Sequence, residues 1–94
     1  MRLTEDGDYL IIVNPHAGDN ATTAQVTNCN LTVQNGNMTL IKSGYSRSTF
    51  GNGSYSSASM INVYVLKGAK ANDILTANFT AYYSVACYIM AIKL

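Results

Sequence analysis

The last third of the chain is almost uncharged. Between Tyr82 and Leu94 the only charged residue is Lys93, and the main polar break is Ser84. A strand with one face in the core and one in water alternates apolar and polar side chains, whereas a continuously apolar strand is covered on both sides. A chain of 94 residues has room for one domain and one core. The run therefore predicts a closing strand with one side covered by a second molecule.

A slightly longer segment has the length of a membrane-spanning helix. Residues 77–94 include 18 positions with Lys93 as the one charge, which is close to the length that such a helix needs. However, Asn78, Thr80 and Ser84 interrupt it, tyrosines occupy its middle, and it lacks a basic flank. We therefore expect strands and no membrane insertion.

The polar surface of this chain comes from uncharged residues. Charged residues make up 12% of the sequence and hydrophobic residues 48%, while asparagine, threonine and serine number ten, nine and eight. Globular proteins average about 25% charged residues. Threonine favours strands, and asparagine and serine favour turns. The composition predicts an all-β fold.

Local patterns indicate where several strands lie. Residues 9–13 form an apolar run that Asn14-Pro15 should end, and residues 22–26 predict a short second strand. Residues 60–66 alternate, with Ile61, Val63 and Val65 on one face. After a turn over residues 67–72, alternation resumes at residues 74–79.

The sharpest local signal is Asn35-Gly36. It lies between the strand-like residues 31–33 and 38–41. Asn-Gly readily adopts the two positive φ angles of a tight hairpin turn. We therefore expect these two segments to pair as a β-hairpin.

Residues 43–59 are rich in glycine and serine and show no apolar periodicity, which predicts a long loop, with one irregular edge strand within it as the alternative. Loops of this length in small domains are usually functional. Aromatic anchors on an adaptable frame suit recognition of a sugar ring or a protein surface; alternatively, the same aromatics fix the loop to the sheet. The candidate ligand-binding or partner-binding residues are Tyr45, Arg47, Phe50 and Tyr55.

Tyrosines on the later strands suit subunit contacts, because a large ring and a hydroxyl together tolerate a partly wet interface. The alternative is an ordinary place in the core or on the sheet surface. The candidate oligomer-interface residues are Tyr64, Tyr82, Tyr83, Tyr88 and Met90.

No catalytic or metal site is predicted. The one histidine, His16, has no motif linking it to a nucleophile, so a hydrolase or metal enzyme is disfavoured. Glu5, Asp6, Asp8 and Asp19 do not follow a regular calcium-loop spacing. We expect no cofactor and no metal. The basic residues are dispersed and the net charge is +1, so nucleic acid is not an expected partner.

The two cysteines, Cys29 and Cys87, permit one disulfide without requiring it. Because Cys87 lies in an apolar run, a reduced and buried thiol is the favoured interpretation. The alternative, a Cys29–Cys87 bridge, stays open on sequence grounds.

The layout of short strands resembles the jelly-roll heads of the tumour-necrosis-factor and complement type and similar modules on bacteriophage particles. The likeness rests on an opening strand at residues 7–11, a late hairpin at residues 62–67 and 72–74, and a closing strand at residues 88–94. Asn72-Asp73 stands where such heads often have Gly-Asp. The resemblance implies a compact antiparallel β-sandwich that forms a homotrimer.

The acidic residues after Met1 do not resemble a secretion signal, which favours a virion component made in a host cytoplasm over a secreted ligand. The leading hypothesis is a non-enzymatic phage capsid decoration, head fibre or tail receptor-binding protein. Its expected partners are copies of itself, other virion proteins, and a cell-surface glycan or protein. The alternative is a carbohydrate-binding module that uses residues 44–59.

Overall fold

Strand β1 (Gly7–Asp19) is the centre of the fold, and its side chains alternate between two environments. Tyr9, Ile11 and Val13 are buried, whereas Leu10 and Ile12 on the opposite face are partly exposed. The computed structural model describes residues 1–19, 24–50, 55–82 and 84–94, and for Asp19, Phe50 and Tyr55 it describes the backbone alone.

The described residues form six antiparallel strands in two sheets. After β1 come β2 (Gln25–Thr32), β3 (Asn37–Phe50), β4 (Tyr55–Ala69), β5 (Thr76–Tyr82) and β6 (Ala86–Lys93). The larger sheet has the order β3-β4-β1-β6, and the smaller sheet pairs β2 with β5. The prediction of an all-β fold is confirmed, and the two facing antiparallel sheets are consistent with a sandwich.

Strand pairing is nested along the chain. β3 pairs with β4, β2 with β5 and β1 with β6, and β1 also pairs with β4. The chain extends 50 × 20 × 18 Å, because β1, β3 and β4 are long strands that lie side by side.

The core lies between the two sheets and has two parts. In the first part, large side chains from β1 and β4 pack against Leu31 and Leu75. In the second part the buried residues are Ala17, Ala24, Val26 and Ala58.

Strand β1 continues through Pro15, so the prediction that Asn14-Pro15 ends the first strand is wrong. The register of β1 on β4 puts Pro15 opposite Met60. Proline has no N–H to donate to its neighbour and is rarely found in a central strand. The side chain of Asn14 takes over this bond, because its Nδ2 donates to the Met60 carbonyl oxygen at 2.8 Å and to Ser59 Oγ at 2.9 Å.

The predicted hairpin at Asn35-Gly36 is also wrong. β2 and β3 lie in different sheets, so this dipeptide is a corner between sheets. Gly36 has φ +92°, and a Cβ there would collide with the carbonyl oxygen of Lys67. Asn35 Nδ2 donates to Asp73 Oδ1 at 2.9 Å. Glycine is therefore required at residue 36 by its contact with Lys67. Which strands are neighbours is decided by long-range pairing and not by this dipeptide.

The loop predicted over residues 43–59 is wrong for the described residues, which belong to the paired strands β3 and β4. The alternative of an edge strand in this segment agrees with β3, which lies at one edge of the larger sheet. Ser46 lies opposite Ser59, and Thr49 lies opposite Ser56. The second sheet does not cover β3, and residues 41–49 are exposed on both faces. Since neither face needs apolar side chains, a paired strand here shows no apolar periodicity. Residues 51–54 lie outside the described part.

Other predicted elements are found with different bounds. The strand predicted at residues 60–66 lies within β4, and the alternation at residues 74–79 continues into β5. Of the strand predicted at residues 22–26, residues 22 and 23 lie outside the described part, and Gln25 begins β2.

Three carboxylates hold the connection between β4 and β5. Each accepts a hydrogen bond from a backbone N–H in this connection or at the end of β4: Asp6 from Ala71 at 2.7 Å, Asp8 from Gly68 at 3.0 Å and Asp73 from Lys70 at 3.1 Å. Asp6, before β1, and Asp8, at its start, thus have structural partners in this connection and at the end of β4.

We predict that Asn14→Ala destabilises the fold by about 1–3 kcal/mol, since it leaves a partly buried carbonyl oxygen without a donor. Adding Pro15→Val restores a backbone N–H opposite Met60 and should recover most of the loss. Urea unfolding at one protein concentration measures both changes. Asn30→Ala, on the exposed face of β2, is the matched control. A double variant no more stable than Asn14→Ala would contradict the role given to the amide.

Candidate functional site

The candidate site is the side of the larger sheet that faces away from β2 and β5. Cross-strand pairing aligns its side chains in rows across β6, β1 and β4. We call this surface the outer face; its apolar members are Leu10, Ile12, Ile61, Val63, Val65, Tyr88, Met90 and Ile92.

The outer face is apolar and open to solvent. Tyr88 is 64% exposed, Met90 57%, Ile61 48% and Ile92 45%. An isolated exposed apolar side chain is ordinary, but adjacent ones forming a large patch usually mark an interaction site. This surface therefore has the composition of an interface.

The opposite side of the molecule shows what a solvent face looks like in this chain. The outward residues of β2 and β5 are exposed and polar, and they include Thr27, Asn30, Thr32, Thr76, Asn78 and Thr80. Both surfaces belong to antiparallel sheets, so sheet geometry alone does not explain their difference. The contrast singles out the outer face.

A shallow groove runs over the outer face near Asn14. Its volume is about 420 Å³, and it is lined by Ile12, Asn14, Ile61, Tyr88, Ile89 and Met90. The Tyr88 ring at its edge stacks on His16, with ring centroids 5.4 Å apart and planes inclined by 23°. The amide of Asn14 is already bonded to β4, so the groove offers mainly apolar contact.

The structure separates the predicted interface tyrosines. Tyr88 and Met90 lie on the outer face, and Tyr82 is 50% exposed at the end of β5. Tyr64 is buried between the sheets, where its hydroxyl accepts a hydrogen bond from Asn62 Nδ2 at 3.1 Å. Burial raises the pKa of Tyr64. Its side chain is therefore a core group, inaccessible to a partner in this conformation. Tyr83 lies outside the described residues.

The four predicted binding residues lie on the β3–β4 hairpin. Tyr45 is 52% exposed, and it shares a face of β3 with Arg47. Phe50 and Tyr55 are opposite each other in the strand register. The side chains of Phe50 and Tyr55 lie outside the description, as do residues 51–54. The feature shared by all four residues is their place on the paired strands β3 and β4.

Sequence patterns did not identify the aliphatic members of the outer face on β1 and β4. The alternation of Ile61, Val63 and Val65 on one face was visible, but it did not show which face of the strand is buried. The buried face of β4 instead contains Asn62, which accepts a hydrogen bond from Ser43 Oγ at 2.6 Å and donates to Tyr64. A buried asparagine with its bonds satisfied by distant residues gives no local signal.

His16 and the two cysteines lie on opposite sides of the larger sheet. His16 is on the side of Tyr88, and Cys29 and Cys87 pack against the core between the sheets. In the part of the chain that the structure describes, no group of three or more histidine, cysteine or acidic residues could hold a metal ion.

The two thiols are free and half-buried. In the fully described strands β2 and β6, no Cα of one lies within 8 Å of a Cα of the other. A disulfide requires Cα atoms about 4.4–6.8 Å apart, so bridging Cys29 and Cys87 would require backbone movement. Burial raises the pKa of both thiols. The charge of the Cys87 thiolate adds a smaller increase to the pKa of Cys29.

These shifts predict a loss of stability in alkali. A thiol whose folded pKa is raised stabilises the fold fully below its unfolded pKa of about 8.5, and this contribution disappears as the pH rises through the folded pKa. Thermal unfolding from pH 7 to 10 under reducing conditions should therefore show a falling Tm. Replacing Cys29 and Cys87 together by alanine should flatten that fall. An equally steep fall in the double variant would contradict the assignment.

Comparison with known proteins found no matching family model, no similar curated sequence and no similar solved structure. Residues 77–82 and 86–93 are strands, and no helix able to span a bilayer occurs in the described residues.

Proposed function

We propose that this protein is a non-enzymatic structural and adhesive component of a virus particle that acts by assembling with copies of itself. The observation that carries the proposal is the exposed outer face. Contact with another copy along this face would remove apolar side chains of the closing strand from water.

The energy available at the outer face is substantial for a small protein. Removing a half-exposed isoleucine or methionine side chain from water contributes about 1 kcal/mol. The exposed outer-face side chains of β6, Tyr88, Met90 and Ile92, together offer roughly 3 kcal/mol per copy. A net charge of +1 and a charged fraction of 12% add little repulsion between copies.

Two features support a virion-surface role. The first strand pairs with the last and the second with the fifth, so the chain folds back on itself as a double ribbon. This arrangement is similar to a jelly roll, which has eight strands where the described residues have six. The uncharged Thr/Asn face of β2 and β5 would then remain exposed on the particle.

We predict that placing charge on the outer face prevents self-association. Sedimentation velocity at micromolar concentration should give a mass above 10.1 kDa for the unchanged protein. Met90→Lys and Ile92→Lys should both sediment as monomers, because an unpaired charge is costly to bury. The matched controls are Asn78→Lys and Thr80→Lys on the polar face, which should keep the larger mass. A folded monomeric unchanged protein would refute the proposal.

A carbohydrate-binding role is the second candidate, and one observation favours it. Tyr45 is 52% exposed and is one of the residues that line a shallow depression, with Gly44, Ser46, Ser59 and Ile61. An exposed aromatic ring can stack against a sugar, and serine hydroxyls can hydrogen-bond to one.

For this role, Tyr45→Ala should abolish any binding found on a glycan array, without unfolding the protein. Tyr82→Ala is the control, since Tyr82 is exposed to a similar extent on another strand. Binding that survives Tyr45→Ala would exclude this site.

A further inference from the structure

The outer strand β6 leaves half of its backbone hydrogen-bonding groups unpaired by the described strands. Leu94 N donates to Asp8 O at 2.9 Å, which fixes the alternation of bonds along the β1–β6 ladder. Even-numbered residues of β6 therefore bond to β1. The N–H and C=O groups of Cys87, Ile89, Ala91 and Lys93 point to the open edge, since no described strand lies beyond β6.

The edge of β6 lacks the features that usually prevent strands from pairing with other molecules. All its residues are described, and it contains no bulge, no proline and no charge before Lys93. The other edge of the same sheet is different: β3 has an irregularity between Leu40 and Lys42 and carries a second charge at Arg47. Bulges and charged side chains protect edges from unwanted pairing. The two edges of one sheet are therefore unequal.

β6 has apolar side chains on both of its faces, and a strand added at its edge could contact them on each face. Tyr88, Met90 and Ile92 point to the outer face, while Ile89 and Ala91 pack against the core side. A strand placed alongside would extend an apolar row on each face. Pairing therefore offers backbone bonds and apolar contact together.

We propose that β6 pairs antiparallel with β6 of a second copy across a two-fold axis, joining two four-stranded sheets into one. This proposal rests on the proposed self-assembly and specifies its geometry. A two-fold contact brings the same surface of both copies together, and antiparallel edges supply matching donors and acceptors.

The register that uses the whole of β6 has Met90 at the axis. Ile89 is then opposite Ala91 of the other copy, and Tyr88 is opposite Ile92. Lys93 is opposite Cys87, so no like charges are directly opposed. The two outer faces become continuous across the junction.

This geometry places two Met90 residues as a non-hydrogen-bonded pair, with Cα atoms about 4.5 Å apart. That distance suits a disulfide. In a background with Cys29 and Cys87 replaced by serine, Met90→Cys should crosslink on mild oxidation to twice the 10.1 kDa chain mass. Ile61→Cys is the matched control, because Ile61 is similarly exposed on the same outer face but lies two strands away from the edge. We expect Met90→Cys to crosslink roughly tenfold faster or more.

A second variant tests the backbone bonds. Ala91→Pro removes an N–H that points away from β1 and should convert the dimer to a folded monomer, with circular dichroism as the check on folding. Equal crosslinking of Ile61→Cys and Met90→Cys, or a trimeric mass for the unchanged protein, would overturn edge pairing and leave self-assembly standing. A monomeric unchanged protein would overturn both.

Discussion

The fold depends on the pairing of β1 with strands on both of its sides. Its odd-numbered residues bond to β4 and its even-numbered residues to β6, while its inward side chains form the centre of the core. A proline in such a strand would ordinarily break the sheet. The Asn14 amide keeps the two long strands β1 and β4 together past Pro15, so a single side chain allows the strand to extend to Asp19.

The smaller sheet is too narrow to cover the larger one completely. It packs over the central strands and leaves the side chains of β3 exposed. On the outer face nothing in the described chain covers the apolar residues of β1, β4 and β6. The tertiary structure thus buries one side of the four-stranded sheet and leaves the other apolar side available.

Composition and strand alternation were sufficient to predict an all-β fold and the late strands. Composition also indicated that the closing strand is unusually apolar. In the structure, Tyr88 and Met90 of this strand lie on the outer face. The continuation of β1 beyond Pro15 was not predictable, because it depends on a bond from Asn14 to a residue 46 positions away. Residues 43–49 of β3 lacked a strand signal, since both faces of this part of the strand are exposed. At Asn35-Gly36 the local preference was real, but the pairing of β2 with β5 and β3 with β4 overrides it.

Nested strand pairing constrains the order in which the protein can form. The β3–β4 ribbon closes the shortest connection, so its loss of chain entropy is the smallest. The β1–β6 ladder joins residues that are about as distant in sequence as the chain allows, and folds dominated by such contacts form slowly. On the ribosome, β1 must wait for β6 to emerge before its second edge is covered. Throughout synthesis the hydrophobic centre of the protein is therefore exposed to other nascent chains, which makes shielding by a chaperone most valuable during this interval.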